Sequence, residues 1–110
     1  MTQSLKGNAI TLTRGDTFKA VVTPINDDGT EYEMQEGDTL RFAMKKDYSD
    51  PQTVLLINIP ADTRLLVIES NDTKELDYGS YVYDIQLTHA NGDVDTFIAK
   101  EKFKLTEEVE

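Results

Sequence analysis

His89, the single histidine of the chain, is the side chain best suited to proton transfer near neutral pH. It stands just before an Asn91-Gly92 pair, and no Ser or Thr nucleophile motif accompanies it. We therefore expect His89 to be an exposed polar group at the end of a hairpin. A hydrolase would require a deep pocket in which aspartates converge on this histidine.

Paired carboxylates are the second chemical possibility. Asp93 and Asp95 alternate along one predicted strand, and the preceding strand would place Asp84 or Gln86 opposite them. Two carboxyl groups held close together can differ in pKa and act as acid and base. No aromatic substrate platform accompanies them, so we predict solvent-facing side chains, no catalytic residue and no enzyme activity.

The stretch from residue 26 to residue 38 is strongly acidic and contains no Lys or Arg. Its carboxylates are Asp27, Asp28, Glu31, Glu33, Glu36 and Asp38. Oxygen ligands in a loop can hold Ca²⁺, but this spacing does not reproduce a calcium-binding loop with its distant bidentate Glu. The pattern predicts a solvated turn region with no metal. No phosphate-binding Gly-rich motif indicates another cofactor.

Charge and composition narrow the class of partner. The chain has 110 residues, a net charge of −10 and no cysteine, so disulfides and thiolate metal sites are absent. The acidic balance argues against nucleic acid and anionic membranes as partners. Lys100, Lys102 and Lys104 alternate as the polar face of a strand would. Residues 1–7 carry no signal-peptide pattern, so we expect the protein to be made and kept in the cytosol.

Period-two alternation of apolar residues dominates the chain and predicts short strands. They span residues 8–13, 17–24, 39–45, 54–59, 65–69, 80–88 and 94–105, the last bent at 100–102. A helical turn is expected within 70–76. We expect one domain over 1–110, with flexible ends at 1–7 and 107–110. The first two strands should be neighbours, and Asn91-Gly92 should form a type I′ turn.

About seven to nine short strands with frequent turns are typical of an all-β antiparallel sandwich or small barrel, and one local segment favours the sandwich. One segment, Asp77-Tyr78-Gly79-Ser80-Tyr81-Val82-Tyr83, resembles the corner that opens strand F of immunoglobulin-like domains. Asp77, Gly79 and Tyr81 match it, while Tyr83 stands at the cysteine position. The resemblance implies that the Tyr81 ring enters the core and its hydroxyl binds backbone upstream.

Three segments, residues 10–17, 37–46 and 78–94, together are similar to the immunoglobulin-like N-terminal domain of phage baseplate upper proteins. The similarity covers most of residues 8–106. It implies a non-enzymatic structural module, found in the bacterial cytoplasm during synthesis and then in the virion. Its partners would be other phage tail or baseplate proteins, or a second copy. The strand at 8–13 has no internal charge and could pair with another chain through a free edge.

The alternative is a small immunoglobulin-like module that binds carbohydrate or a host surface. It would use the acidic region 26–38 or the loop at Tyr48, since only Tyr32, Tyr48 and Tyr78 fall outside the predicted core faces. The Arg14-Gly15-Asp16 tripeptide invites an integrin-binding interpretation. A turn between two strands explains it better, because Gly favours such turns.

Overall fold

The alternating segments form β-strands in the computed structural model, which describes residues 3–5 and 8–107. The strands are β1 (Gln3–Leu5), β2 (Ile10–Thr13), β3 (Phe18–Val22), β4 (Thr39–Lys45), β5 (Leu55–Ile59), β6 (Leu65–Ile68), β7 (Gly79–Thr88) and β8 (Val94–Thr106), and the helix is α1 (Ser70–Thr73). The all-β class and the helical turn are confirmed. No helix in the described part of the chain is long and apolar enough to cross a bilayer.

The strands form two sheets whose pairing is mixed. One sheet has the order β2-β8-β7-β4-β5 and the other the order β1-β3-β6. Most pairs are antiparallel, as predicted, but β1 runs parallel to β3 and β2 runs parallel to β8. The antiparallel description therefore needs this correction. Parallel pairs join segments that are far apart in the chain, so local turn signals cannot predict them.

The prediction that the first two strands are neighbours is wrong. A turn at Gly15 separates them, closed by the Asp16 N–H donating to the Thr13 carbonyl at 3.0 Å. Across that turn the chain crosses from one sheet to the other, so β2 pairs with β8 while β3 pairs with β6. Both strands still bury their apolar residues, because they approach one core from opposite sheets.

The core lies between the sheets and is filled by the alternate apolar residues of nearly every strand. Its largest fully buried members are Tyr83, Phe42, Phe103, Met44, Leu66, Ile68, Ile85 and Leu105. Strand β7 shows the pattern best, since Tyr81, Tyr83, Ile85 and Leu87 are buried while the residues between them are partly exposed. This confirms the inward face predicted for that strand.

The hydroxyls of Tyr81 and Tyr83, both on β7, donate hydrogen bonds to backbone carbonyls of other segments. The Tyr81 hydroxyl donates to the Asp77 carbonyl at 2.6 Å, which is the upstream backbone bond that the immunoglobulin-like corner implies. The Tyr83 hydroxyl donates to the Asn8 carbonyl at 2.6 Å. Its ring stacks on Phe42, with centroids 5.4 Å apart. Tyr83 therefore supplies packing at the position where a cysteine would supply a disulfide.

The β7–β8 hairpin is present, but its turn is not of type I′. The Gly92 N–H donates to the His89 carbonyl at 2.9 Å, and the His89 N–H donates to the Asp93 carbonyl at 2.8 Å. Gly92 has a φ of 95°, whereas Asn91 keeps a negative φ. The Asn91 side chain instead accepts the Asp93 N–H at 2.9 Å. A longer loop with one left-handed residue thus replaces the predicted two-residue turn.

Strand β8 bends where the sequence predicts it. The register against β7 shifts between Tyr83 and Gln86, and Lys100 takes a left-handed φ of 57°. The register shift is a β-bulge, in which an extra residue on one strand changes the direction of the side chains beside it. Lys102 and Lys104 lie on the exposed face beyond the bulge, as the alternation predicts.

The chain ends differ from the prediction where the structure describes them. Residues 3–5, expected within a flexible N-terminal end, form β1 and pair with β3. Leu5 is buried, so the apolar side chain holds this segment on the sheet. Glu107 follows β8 without secondary structure. The remaining residues of the predicted ends, 1–2, 6–7 and 108–110, lie outside the described residues.

Candidate functional site

Two aspartates converge on His89 at one end of the five-stranded sheet. His89 directly follows β7, Asp95 is the second residue of β8, and the hairpin between them brings the two side chains together. Asp38 directly precedes β4, the neighbour of β7. A turn closed by the Asp38 N–H on the Gln35 carbonyl, at 3.1 Å, aims Asp38 toward the hairpin. We call Asp38, His89 and Asp95 the histidine cluster.

Each ring nitrogen of His89 faces a different carboxylate. Nε2 lies 3.0 Å from Oδ2 of Asp95, and Nδ1 lies 3.3 Å from Oδ1 of Asp38. Asp38 is buried and also accepts the Tyr32 hydroxyl at 2.6 Å and the Gln35 N–H at 2.8 Å. The His89 side chain is 28% exposed. The expectation of a merely exposed polar group is therefore wrong, because carboxylates flank the ring on both sides.

Hydrogen bonds and charges in the histidine cluster shift the pKa values of His89 and Asp38 in opposite directions. The hydrogen bond to Asp95 raises the pKa of His89, burial opposes this, and Asp38 raises it further. Burial alone would raise the pKa of Asp38, but hydrogen bonds from Tyr32 and Gln35 together with His89 bring it below the ordinary value. The hydrogen bond to Asp38 raises the pKa of Tyr32 to about 12. Both shifts favour a protonated His89 ring beside an ionised Asp38 carboxylate.

This arrangement is unsuited to general-base catalysis. In a catalytic triad one ring nitrogen faces a nucleophile and the other an orienting carboxylate. Here both nitrogens donate to carboxylates when the ring is protonated. The Tyr32 hydroxyl lies 3.4 Å from Nδ1, but it donates its proton to Asp38. Tyr32 also lines a cavity of about 490 Å³ that lies beside His89.

The histidine cluster makes stability depend on pH in a direction that can be derived. The unfolded pKa of histidine is about 6.5, and the folded value lies above it. The stabilising contribution is therefore complete below about pH 6.5 and is lost as pH rises through the folded pKa. We expect a lower melting temperature at about pH 8.5 than at about pH 6, measured by circular dichroism.

The control for this pH dependence is His89→Gln, which cannot titrate in that range. Because the chain has no other histidine and no cysteine, the amino terminus is the other group expected to titrate there. The variant should show a flatter dependence of melting temperature on pH. An equal slope in both proteins, or an NMR pKa for His89 at or below its ordinary value, would contradict the assignment.

Asp93 and Asp95 are both exposed, as predicted, and they form no paired-carboxylate site with Asp84 or Gln86. Asp95 lies opposite Leu87 in the β7–β8 register, not opposite Asp84 or Gln86, because the bulge shifts the pairing. Asp95 is engaged with His89, while Asp93 accepts the Asn91 side-chain amide at 3.2 Å. The acid pair is thus divided between two separate contacts.

The acidic stretch 26–38 is likewise divided among local contacts. Asp28 accepts the Thr30 hydroxyl at 2.6 Å and the Thr30 N–H at 3.0 Å, while Asp38 belongs to the histidine cluster. Over residues 3–5 and 8–107, no group of three or more His, Asp or Glu side chains is arranged to hold a metal ion. Tyr32, expected to be loose, is instead anchored on Asp38.

The Arg14-Gly15-Asp16 tripeptide forms the turn between β2 and β3. Nη1 of Arg14 donates to the Leu76 carbonyl at 3.3 Å, and its guanidinium lies 4.1 Å from the ring centre of Tyr78. The Gly15 N–H donates to Oγ1 of Thr73 at 2.9 Å. These contacts hold the turn against the α1 region, which explains the tripeptide structurally.

Tyr48 is exposed, as predicted, but its hydroxyl donates to the Lys100 carbonyl at 2.7 Å, and its side chain borders a second cavity. This cavity has a volume of about 310 Å³ and is lined by Ala43, Tyr48, Val82, Asp84, Thr96 and Lys100, among others. It lies on the outer face of β4, β7 and β8, on the opposite side of the sheet from the core. Its floor is partly apolar and its rim carries charged groups.

No family model matches the chain, and no curated protein matches it. Among solved structures, the chain is similar to CopC from Methylosinus trichosporium OB3b, with 17% identity and a TM-score of 0.41. The match covers 68% of this chain and 72% of that one. It bears on neither the histidine cluster nor the resemblance to baseplate proteins, which stays a prediction.

Sequence reasoning missed Asp38 as the partner of His89. The two residues are 51 positions apart, and no spacing rule connects them. One signal was present, since Asp38 follows Gly37 and directly precedes the strongly alternating strand β4. A charged residue at the entry to a core strand must find a partner if it is buried.

Proposed function

We propose that the chain is a non-enzymatic protein-interaction module of a phage tail or baseplate, and that it binds partner proteins through the free edges of its five-stranded sheet. The observation that carries this proposal is edge strand β5, Leu55–Ile59. It pairs with β4 on one side and is the last strand of its sheet on the other. No other strand within residues 3–5 and 8–107 pairs with its outer side, so the backbone groups there can bond to a partner strand.

Strand β5 lacks the usual protection of an edge. Exposed edges are commonly blunted by lysine, proline or a bulge, yet residues 55–59 contain no charged residue and no proline. Its pairing with β4 is regular over all five residues. Leu56 is 58% exposed, so an apolar side chain accompanies the free backbone. A partner strand would gain both hydrogen bonds and burial of Leu56.

Strand β2 is the opposite edge of the same sheet, as the sequence predicts, and also contains no charged residue. Two free edges on one sheet would allow a module to contact two neighbours in a ring or stack. The resemblance to baseplate upper proteins supports the proposed location in a phage tail or baseplate. The unsuitability of His89 as a general base supports a role without catalysis.

The proposed location in a phage tail or baseplate is tested by mass spectrometry of virions purified after induction of the lysogen. We expect the protein in the particles, together with tail or baseplate proteins that copurify with it when they are expressed together. Its absence from the particles, with no copurifying tail or baseplate protein, would overturn the proposed function.

The edge contact is tested by Leu56→Lys, which introduces the charge that natural edges use against pairing. Binding to the tail or baseplate partner, or to a second copy, should weaken at least about tenfold by calorimetry or sedimentation. Val94→Lys is the matched control, because Val94 is 54% exposed and lies on β8 instead of β5. Equal losses in the two variants would contradict a contact through β5.

A further inference from the structure

Three lysines lie close together on the outer face of the five-stranded sheet. Lys45 on β4 and Lys102 on β8 both pair with Val82 of β7, so the three side chains form one row on one face. Lys104 belongs to the next row, opposite Ser80. Lys102 and Lys104 are exposed, and Lys45 is half-buried. We call the three lysines and Val82 the lysine face.

The lysine face is positively charged, although the whole chain has a net charge of −10. Among the residues that the structure describes, no carboxylate forms an ion pair with any of its three lysines. Glu101 is the sequence neighbour of Lys102, but it pairs with Tyr83 and therefore lies on the other side of the sheet. The three ammonium groups can therefore pair with carboxylates of another molecule.

A negatively charged surface lies at the opposite end of the same sheet, around Tyr32. Tyr32 binds the residue before β4 and borders two cavities, one lined also by Asp27 and the other by Glu33 and Asp62. These three carboxylates are exposed. Arg64 lines the second cavity, but its guanidinium donates to a backbone carbonyl at 3.4 Å. We call Asp27, Glu33 and Asp62 the acidic end.

A single molecule cannot bring the lysine face and the acidic end together. Lys45 is the last residue of β4, while the acidic end lies beside the first residue of that strand. A strand of seven residues spans roughly 20 Å. Exposed charges so far apart interact weakly, because the Debye length is about 8 Å at physiological ionic strength. The two surfaces can meet only when they belong to different molecules.

We propose that the lysine face binds the acidic end of a second copy of this chain. Opposite charges meet there, and the long lysine side chains can pack over Val82 while their ammonium groups reach the carboxylates. The contact joins two different surfaces, so a bound pair keeps one lysine face and one acidic end for further copies. Assembly therefore continues to a ring or a stack. The contact uses side chains of a sheet face and goes beyond the proposed edge contact through β5.

Self-association is tested by sedimentation velocity of the purified protein at about 10 µM to about 1 mM in about 150 mM NaCl. This salt concentration screens the repulsion between the net charges of two copies, whereas ion pairs that become partly buried in the contact are screened less. We expect the weight-average mass to rise with concentration and to exceed that of a dimer. A protein that stays monomeric, or stops at a dimer, at about 1 mM would overturn the proposal.

Two charge-reversed variants identify the surfaces. Lys102→Glu/Lys104→Glu and Asp27→Lys/Glu33→Lys should each weaken self-association at least about tenfold, because each variant brings like charges together. An equal mixture of the two should associate again, since each surface of one variant then meets its opposite charge on the other. Both variants keep a negative net charge, so general attraction between them cannot explain the recovery. A mixture that does not associate would contradict the contact.

Lys19→Glu/Lys74→Glu is the matched control, because both lysines are exposed and lie outside the lysine face. It changes the net charge as much as Lys102→Glu/Lys104→Glu does and should leave self-association unchanged. Equal losses in these two variants would overturn the proposal. Leu56→Lys should also leave self-association unchanged, which separates this contact from the one through β5. Self-association that is lost only in Leu56→Lys would assign it to β5 and overturn the contact at the lysine face.

Discussion

Replacement of Tyr83 by alanine should lower the free energy of unfolding by about 3–5 kcal/mol, the range found when a buried aromatic side chain is removed. Tyr83 is almost completely buried and stacks on Phe42, while Phe103 meets its ring edge-on at a centroid distance of 6.5 Å. Domains of this size are stable by about 5–15 kcal/mol, so the loss would be a large fraction of the total. Urea unfolding followed by circular dichroism measures it.

Tyr83→Phe separates the two contributions of this side chain. It keeps the ring and removes the hydroxyl that donates to the Asn8 carbonyl, so it should cost about 1–2 kcal/mol. Tyr48→Ala, at an exposed position, should change stability by less than about 0.5 kcal/mol. If Tyr83→Ala destabilised the protein no more than Tyr48→Ala, the description of a core centred on Tyr83 would be wrong.

The importance of Tyr83 could be predicted only in part. Strict alternation over residues 80–88 placed its ring in the core, because successive side chains of a strand point to opposite faces of the sheet. The same reasoning gave the bounds of β4, where Leu40, Phe42 and Met44 alternate with residues that are less buried. The hydrogen bond to Asn8 spans 75 positions and depends on how the sheets close, which local patterns do not encode.

The sheet pairings that sequence reasoning missed share one physical cause. A turn such as Arg14-Gly15-Asp16 predicts a reversal of the chain, but it does not determine whether the next strand pairs in the same sheet. Here β3 pairs with β6, whose register joins Ala20 to Leu66. The sheet in which β3 pairs is determined by the burial of the apolar faces of both sheets in one core, which depends on the whole chain.

The histidine cluster shows the same division between local and long-range information. The sequence placed His89 at the end of a hairpin correctly, because alternation and the Asn91-Gly92 pair are local signals. Its partner Asp38 comes from the turn before β4 and reaches the hairpin only because β4 and β7 are neighbours. The structure also places Gly37, beside Asp38, against the tip of that hairpin.

Gly37→Ala should destabilise the domain by about 2–4 kcal/mol, because backbone strain and a steric clash add. Gly37 has a φ of 89°, which side chains with a Cβ disfavour. A Cβ placed on it would lie 2.6 Å from Cβ of Ala90, closer than two carbons can approach. The turn at 35–38 would have to move away from the hairpin. Urea unfolding measures the loss of stability.

Gly29→Ala isolates the strain, because Gly29 has the same φ of 89° but nothing lies within 4 Å of the added Cβ. It should cost about 1–2 kcal/mol. The two variants should also differ at the histidine cluster. In Gly37→Ala the displaced turn carries Asp38 away from Nδ1, so the NMR pKa of His89 should fall toward its ordinary value. In Gly29→Ala it should stay raised, because Asp38 keeps its place. Equal stability losses and equal His89 titrations would show that the close contact between Gly37 and Ala90 does not hold Asp38 on the hairpin.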